Sequence, residues 1–545
     1  SATRIDRAGL IVKGRENVLL QSNQFDTTWD TTSSITLTSG QSGYDGTNDA
    51  WLLARTSTGG QRLFQDISKS GVQTISIYAK ANLGNWLYIF CKTSGSDAES
   101  WYDLSNGVLG ASSGGRIDAE IESVGSGWYR CSMSFNASTT QVRFYPTDGN
   151  GSVGGTNESI YIQDAQLEQG LAASPYIETT TTSAQAGVLE NTPRLNYTTG
   201  VANPYLLLEP SRTNLLVQSE YFEASYWTKN DGSLTSGFVS PDGTSNAYKF
   251  VEDTSTGTHN IEKYISSANG STNTSTIYAK KGERTHITLY SGGGFTDSCN
   301  FDLENGTSID NGTSTSKIEL ISNGWYKCSV TAINKSKHVY IMINNGLSGT
   351  NGVVYTGDGT SGVYIFGAMM EEGSYPTSYI PTYSVSATRA EDVCNKTNAS
   401  GEIGQTEGTI FVDLTIDNIL GQTNQPIPLS LKGLGSTNSY IQLYNTGRVQ
   451  AVHYGFGSIQ ANINLFSYGL TDGRHKFAFV YSDNDFKLYI DGALAGSETS
   501  GLVDAQSEVY LGYYNTSYNG TINNHQTLIF PTALTNAELA TLTTI

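Results

Sequence analysis

A long internal repeat constrains this chain more than any other feature. Gly127-Trp128-Tyr129-Arg130-Cys131-Ser132 returns as Gly324-Trp325-Tyr326-Lys327-Cys328-Ser329, about 200 residues further on. Asn17-Val18-Leu19-Leu20-Gln21-Ser22 returns as Asn214-Leu215-Leu216-Val217-Gln218-Ser219, and Ile77-Tyr78-Ala79-Lys80 as Ile277-Tyr278-Ala279-Lys280. Towards the end of each copy, Ala165-Gln166-Leu167-Glu168 matches Ala368-Met369-Met370-Glu371. Motif order is kept and the spacing drifts by only a few residues, so a whole domain has been duplicated in tandem. The expected layout is an inter-module linker over 1–16, a first module over 17–182, a linker over 183–213, a second module over 214–390 and an unlike domain over 391–545. The chain opens Ser1-Ala2-Thr3-Arg4, as the second module closes Ser386-Ala387-Thr388-Arg389. Residue 1 thus falls at a junction, and further protein is expected before it.

Between the repeated motifs lie alternating segments such as Thr74-Ile75-Ser76-Ile77-Tyr78 and Gln141-Val142-Arg143-Phe144-Tyr145, separated by Gly/Asn/Asp/Ser clusters. Alternation with a period of two and frequent turns predicts antiparallel strands. The 59 glycines and the low charged fraction of 15% fit many polar turns. The fold class expected is all-β: three β-sandwich (jelly-roll) domains in tandem, the first two related by duplication. Near the end, Thr535-Asn536-Ala537-Glu538-Leu539 carries a capping box and predicts one short helix.

With 31 basic and 50 acidic residues the formal net charge is −19, which leaves no cationic surplus for phosphate and argues against nucleic acid. No apolar run approaches the roughly 18 residues of a membrane-spanning helix, so no membrane insertion is expected. The five cysteines (Cys91, Cys131, Cys299, Cys328, Cys394) are odd in number and lack CxxC spacing. Neither a disulfide framework nor a zinc ribbon is expected, and folding in a reducing cytosol fits better.

The C-terminal third resembles the concanavalin A-like (laminin G-like) sandwich. The likeness is carried by Asp472-Gly473-Arg474-His475, the Leu488-Tyr489-Ile490-Asp491-Gly492 hairpin and Tyr518-Asn519-Gly520-Thr521-Ile522. The duplicated units resemble the carbohydrate-binding-module-like jelly rolls of bacteriophage tail-fibre and other virion surface proteins. Here the motifs are Arg212-Thr213-Asn214-Leu215-Leu216, the Gly-Trp-Tyr-x-Cys strand and the close at Glu372, Gly373, Tyr379, Ile380 and Pro381. This resemblance implies a virion surface protein, synthesised in the host cytoplasm, that attaches to a cell-surface glycan of a bacterial host. Its other implied partners are virion proteins, with a homo-oligomer, a trimer among the options, left open.

The six histidines are scattered, and no metalloprotease, nucleophile-elbow or phosphate-loop motif is present. No catalytic residue is assigned and no enzyme is expected. A polysaccharide depolymerase is one alternative; a capsid or tail decoration protein without ligand is the other. For glycan binding, alternation places Leu87 and Ile89 inward and Trp86, Tyr88 and Phe90 on the opposite face, with Trp101 extending an aromatic platform. Burial of these rings under a loop or a neighbouring domain is the competing reading, whereas Trp128 and Trp325 read as core. No cofactor is required. A structural calcium ion is the one considered, with Asp45, Asp49, Glu168, Asp242 and Glu371 as ligands, set against ordinary Asp-Gly turns.

Overall fold

A computed structural model describes residues 2–266, 271–291, 298–333, 336–346, 353–419, 425–512 and 520–545. Tyr518 and Asn519 of the Tyr518–Ile522 motif therefore lie outside the described residues. The chain is an all-β protein with one short helix. In the first module the strands Val108–Gly114, Ala98–Asp103, Trp86–Thr93, Thr139–Thr147, Leu63–Lys69 and Asp30–Thr31 form one sheet, in that order. Arg116–Gly125, Trp128–Asn136, Val72–Ala81, Ser159–Gln169, Ala50–Arg55 and Ile35–Gln41 form the other. The second module repeats both sheets strand for strand, from Thr307–Asp310 to Thr228–Asn230 and from Thr315–Leu320 to Gly232–Phe238. Duplication in the sequence is thus duplication of a complete jelly roll.

Alternation sets each core. Leu87, Ile89 and Cys91 point inward beside Tyr102, Phe144 and Leu167, and Ile287, Leu289 and Cys299 do the same in the second copy beside Phe301. Trp128 and Trp325 are both buried, but against the outward side of their sheets, each with its own small aromatic cluster. The C-terminal sandwich pairs a seven-stranded with a six-stranded sheet around Ile410, Val412, Phe477 and Leu488. Its helix, Asn536–Thr543, begins at Thr535 with the complete capping box to Glu538. All five thiols are free.

The two stretches read as linkers carry strands of their own. Thr3–Ile5 pairs with Ile11–Lys13 as a hairpin, and Leu195–Asn196 pairs with Tyr205–Leu208 as another. The first hairpin precedes the first module yet seats Ile11 on the second, among Tyr278, Trp325 and Tyr379. The other precedes the second module yet joins the C-terminal sheet, Leu206–Leu208 alongside Ile522–Asn524. A buried ion-pair hub ties these junctions together. Glu209 accepts from Arg194 at 2.9 Å and from the Ser378 backbone N–H and hydroxyl at 2.7 and 2.6 Å, with Arg389 at 3.1 Å. Arg194 also reaches the Thr3 carbonyl at 3.1 Å and the Asp392 carboxylate. Burial alone would push the Glu209 carboxyl up, but Arg389 and Arg194 hold it down at about 2.

Candidate functional site

Antiparallel register sets the outward residues of the first module's Trp86–Thr93 sheet in rows. Tyr88 lies between Tyr145 and Trp101, and Phe90 between Arg143 and Glu99, with Phe64 beyond Arg143. Trp86 lies between Thr147 and Asp103. The four expected aromatic residues therefore share one face, but not equal exposure. Tyr88 and Trp101 are only 3% and 6% exposed, whereas Trp86 and Phe90 are half-buried. This corrects the flat open platform: two rings form its floor and two its accessible rim.

The floor is a ring stack. Tyr88 and Trp101 lie parallel, centroids 4.0 Å apart at 7°, and Tyr145 leans on Tyr88 at 4.8 Å. The indole N–H of Trp101 donates to the Ser152 carbonyl at 2.7 Å, so the 148–154 loop closes one side. Arg55, fully buried, anchors that loop by donating to the carbonyls of Pro146 at 3.0 Å and Val153 at 3.2 Å, and to that of Gly154. Gly110 lets the Trp86 indole lie against the edge strand, because a Cβ there would come within 2.6 Å of the ring. Polar groups border the rim. The Arg143 guanidinium sits 4.7 Å above the Phe90 ring and donates to Gln141, and the Asn150 side chain accepts from the Ala111 N–H. Arg55, Arg143, Tyr145 and Asn150 were not singled out from the sequence. Only Arg143 and Tyr145 left a signal, by sharing the outward phase of one alternating segment.

The second module supplies an internal comparison. At the positions of Trp86, Tyr88, Phe90, Trp101 and Arg143 it carries His286, Thr288, Tyr290, Asn300 and Tyr340. Thr288 donates to Asn300 at 2.6 Å, and Asn344 donates to Thr288 at 3.0 Å. The second face keeps rings at Tyr290 and Tyr340, 5.2 Å apart, but has Thr288 and Asn300 in place of the Tyr88–Trp101 stack, so that stack is not something the jelly roll needs in order to fold.

The five carboxylates offered as calcium ligands fall at four separate places, with only Asp45 and Asp49 lying together, around Thr47 and Gln163. Glu168 takes the Ser174 N–H and hydroxyl at 2.7 and 2.5 Å, and Glu371 takes the Thr377 N–H and hydroxyl at 2.8 Å each, so both clamp equivalent turns. Asp242 pairs with the Lys13 ammonium at 2.6 Å beside Glu220 at 2.9 Å. Asp45 accepts from the Thr47 hydroxyl at 2.6 Å, and Gln163 donates to Asp49 at 2.8 Å. Among the described residues no three His, Cys, Asp or Glu side chains gather closely enough to hold a metal ion.

Asp164 accepts from the Tyr44 hydroxyl at 2.9 Å. Burial pushes its carboxyl up to about 7, with Asp49 and Asp45 adding to the effect. A carboxyl raised in the fold costs stability as pH rises from about 4 to about 7, where only the unfolded chain ionises freely. Asp164→Asn is expected to abolish that loss. Compared by thermal unfolding at pH 5 and pH 8, the variant's gain over the parent should be larger at the higher pH by roughly 2–3 kcal/mol. An equal gain at both values would contradict this.

No family model matches the chain, and neither does any curated protein. Among solved structures, one similar chain is the CBM40 module of the Ruminococcus gnavus IT-sialidase, at 16% identity over 27% of this chain and 86% of that one, with a TM-score of 0.22. The CBM22 tandem of Paenibacillus barcinonensis Xyn10C aligns at 12% identity over 64% of this chain and 93% of that one, with a TM-score of 0.20. Mouse laminin alpha1 domains LG4-5 align at 12% identity over 56% and 94%, with a TM-score of 0.18. The solved structures similar to this chain thus include carbohydrate-binding modules and laminin G domains.

Proposed function

We propose that this is a carbohydrate-binding surface protein, of the bacteriophage tail-fibre or decoration type, which attaches to a host glycan through the aromatic face of its first module. The observation that carries the reading is the contrast between the copies: one scaffold, two matching cores, and the stacked Tyr88 and Trp101 beside Trp86 on one outer face where the other has Thr288 and Asn300 beside His286, with a ring kept in both at Phe90 and Tyr290. Half-exposed Trp86 and Phe90 offer flat apolar surfaces to the C–H groups of a sugar ring, and Arg143, Gln141 and Asn150 offer polar groups beside them. The face is shallow, so affinity per site is modest and avidity on a particle supplies the rest. The role is binding, with no reaction assigned.

A second reading, a decoration protein without ligand, draws on the burial of Trp101 beneath the 148–154 loop. A glycan array probed with the purified chain in calcium, alongside Trp86→Ala and Phe90→Ala, separates the two. Attachment through this face predicts at least a tenfold loss of signal in both variants, from removal of a stacking ring. Binding that survives both substitutions moves recognition to another module. No binding by the parent chain favours the decoration role.

A further inference from the structure

The outward face of the second module's Trp325 sheet is covered from three sides, and the cover is incomplete. The N-terminal hairpin lays Ile5 and Ile11 against it. The second hairpin brings Tyr205 and Leu207, and the C-terminal sheet brings Asn523, the cross-strand partner of Leu207. Between them remains a cavity of about 320 Å³, within the roughly 300–1,000 Å³ of small-ligand sites.

Three cations (Arg4, Lys317, Lys327) and three carboxylates (Glu209, Glu319, Asp417) line this cavity, so its wall has no net charge. They are also paired. Lys317 lies 3.0 Å from Glu319 and 3.7 Å from Asp417 of the C-terminal domain, Lys327 donates to the Thr377 carbonyl at 2.8 Å, and Glu209 belongs to the arginine hub. One polar atom is left over. Asn523 is 7% exposed, and its amide N–H donates to Asp417 at 2.9 Å. Only the nitrogen side of an amide can face a carboxylate, so the orientation is fixed. Oδ1, buried in the lining, then receives no hydrogen bond, which is costly for an acceptor shielded from water. Nearby, the Tyr205 hydroxyl accepts from the Asn196 amide, which leaves its own proton to be donated.

We propose that this cavity binds an uncharged polyol of the size of one monosaccharide, with one ligand hydroxyl donating to Asn523 Oδ1 and another accepting from Tyr205. The balanced wall offers nothing to an ionic ligand, the unmet group is an acceptor, and the volume suits a single sugar ring. Because the walls come from different domains, the bound molecule would tie the second module to the C-terminal sandwich. None of these residues belongs to the aromatic face, so this site and the attachment reading stand or fall separately.

The test titrates glucose, galactose, mannose and N-acetylglucosamine in turn into the full chain, reading binding by saturation-transfer NMR on the sugar. At least one is expected to saturate in the millimolar range and to raise the lowest urea midpoint of the chain. Asn523→Leu should weaken that sugar at least tenfold, since a ligand hydroxyl is then buried without its acceptor. Lys317→Met, at a half-buried position on the rim, should weaken it about threefold by removing a donor, and it carries the test should Asn523→Leu misfold. Trp86→Ala should leave the titration unchanged. Failure of all four sugars to saturate overturns the proposal, since the cavity would then hold only water. So does saturation that both cavity variants leave unchanged; its loss in Trp86→Ala would place the sugar on the aromatic face instead.

Discussion

Glu209→Gln is expected to destabilise the junction by about 3–5 kcal/mol, because it strips the shared carboxylate from two buried guanidinium groups. Arg389 would keep only neutral acceptors such as the Pro210 carbonyl at 2.8 Å, while Arg194 would keep Asp392. A chain of three sandwiches does not unfold in one step, so the quantity to follow is the lowest urea midpoint, with the change confined to that transition. The pH dependence gives an independent reading. Glu209 is depressed to about 2 in the fold, so its contribution is complete above about 4.5 and disappears as pH falls towards 2. The parent should lose stability across that window more steeply than the glutamine variant. An unchanged midpoint, with parallel pH curves, would mean that Asp392 alone satisfies the hub.

Trp325→Ala should cost a similar amount, about 3–5 kcal/mol, by opening a cavity beneath a side chain that is 2% exposed. Its particular consequence is remote in sequence. Trp325 forms part of the floor under Ile11, so the substitution should release the N-terminal hairpin. Hydrogen exchange at the Ile11 amide, bonded to Pro241 in the parent, should accelerate to the rate of an open segment. Trp128→Ala makes the matched control. It opens an equivalent cavity where no connector is seated, so it should destabilise the first module and leave the Ile11 amide protected. Loss of protection in both variants would mean that the hairpin depends on global stability and not on its seat.

Sequence reasoning reached the parts of this molecule that local rules decide. The repeated motifs defined the duplicated sandwich, and alternation through Leu87 and Ile89 assigned the inward phase, because a slip of one residue would turn the whole set outward. The capping box placed the terminal helix, since Thr535 and Glu538 satisfy backbone donors within one turn. Local rules do not decide what covers an outward face. The phase that put Tyr88 outward is correct, yet the 148–154 loop and the stack with Trp101 bury it, and that loop is held by Arg55 from a distant strand. The connectors were illegible for a related reason. Three-residue strands are too short to show a period, and the partners of Ile11 and Lys13 lie more than 200 residues away. One clue was available: Thr3-Arg4-Ile5-Asp6 and Pro193-Arg194-Leu195-Asn196 are variants of one hairpin opening.

Those hairpins also determine how the chain would bear tension. Because each connector passes over its own module to grip another domain, a pull on the two ends does not load three beads in series. Strain along the second connector would reach the Leu206–Leu208 and Ile522–Asn524 pairing lengthwise, so its cross-strand hydrogen bonds would have to yield together and not one after another. The buried Glu209 cluster lies at the end of that same strand. Force would therefore be resisted first at the laps between domains, while the sandwich cores stay unloaded until a lap gives way.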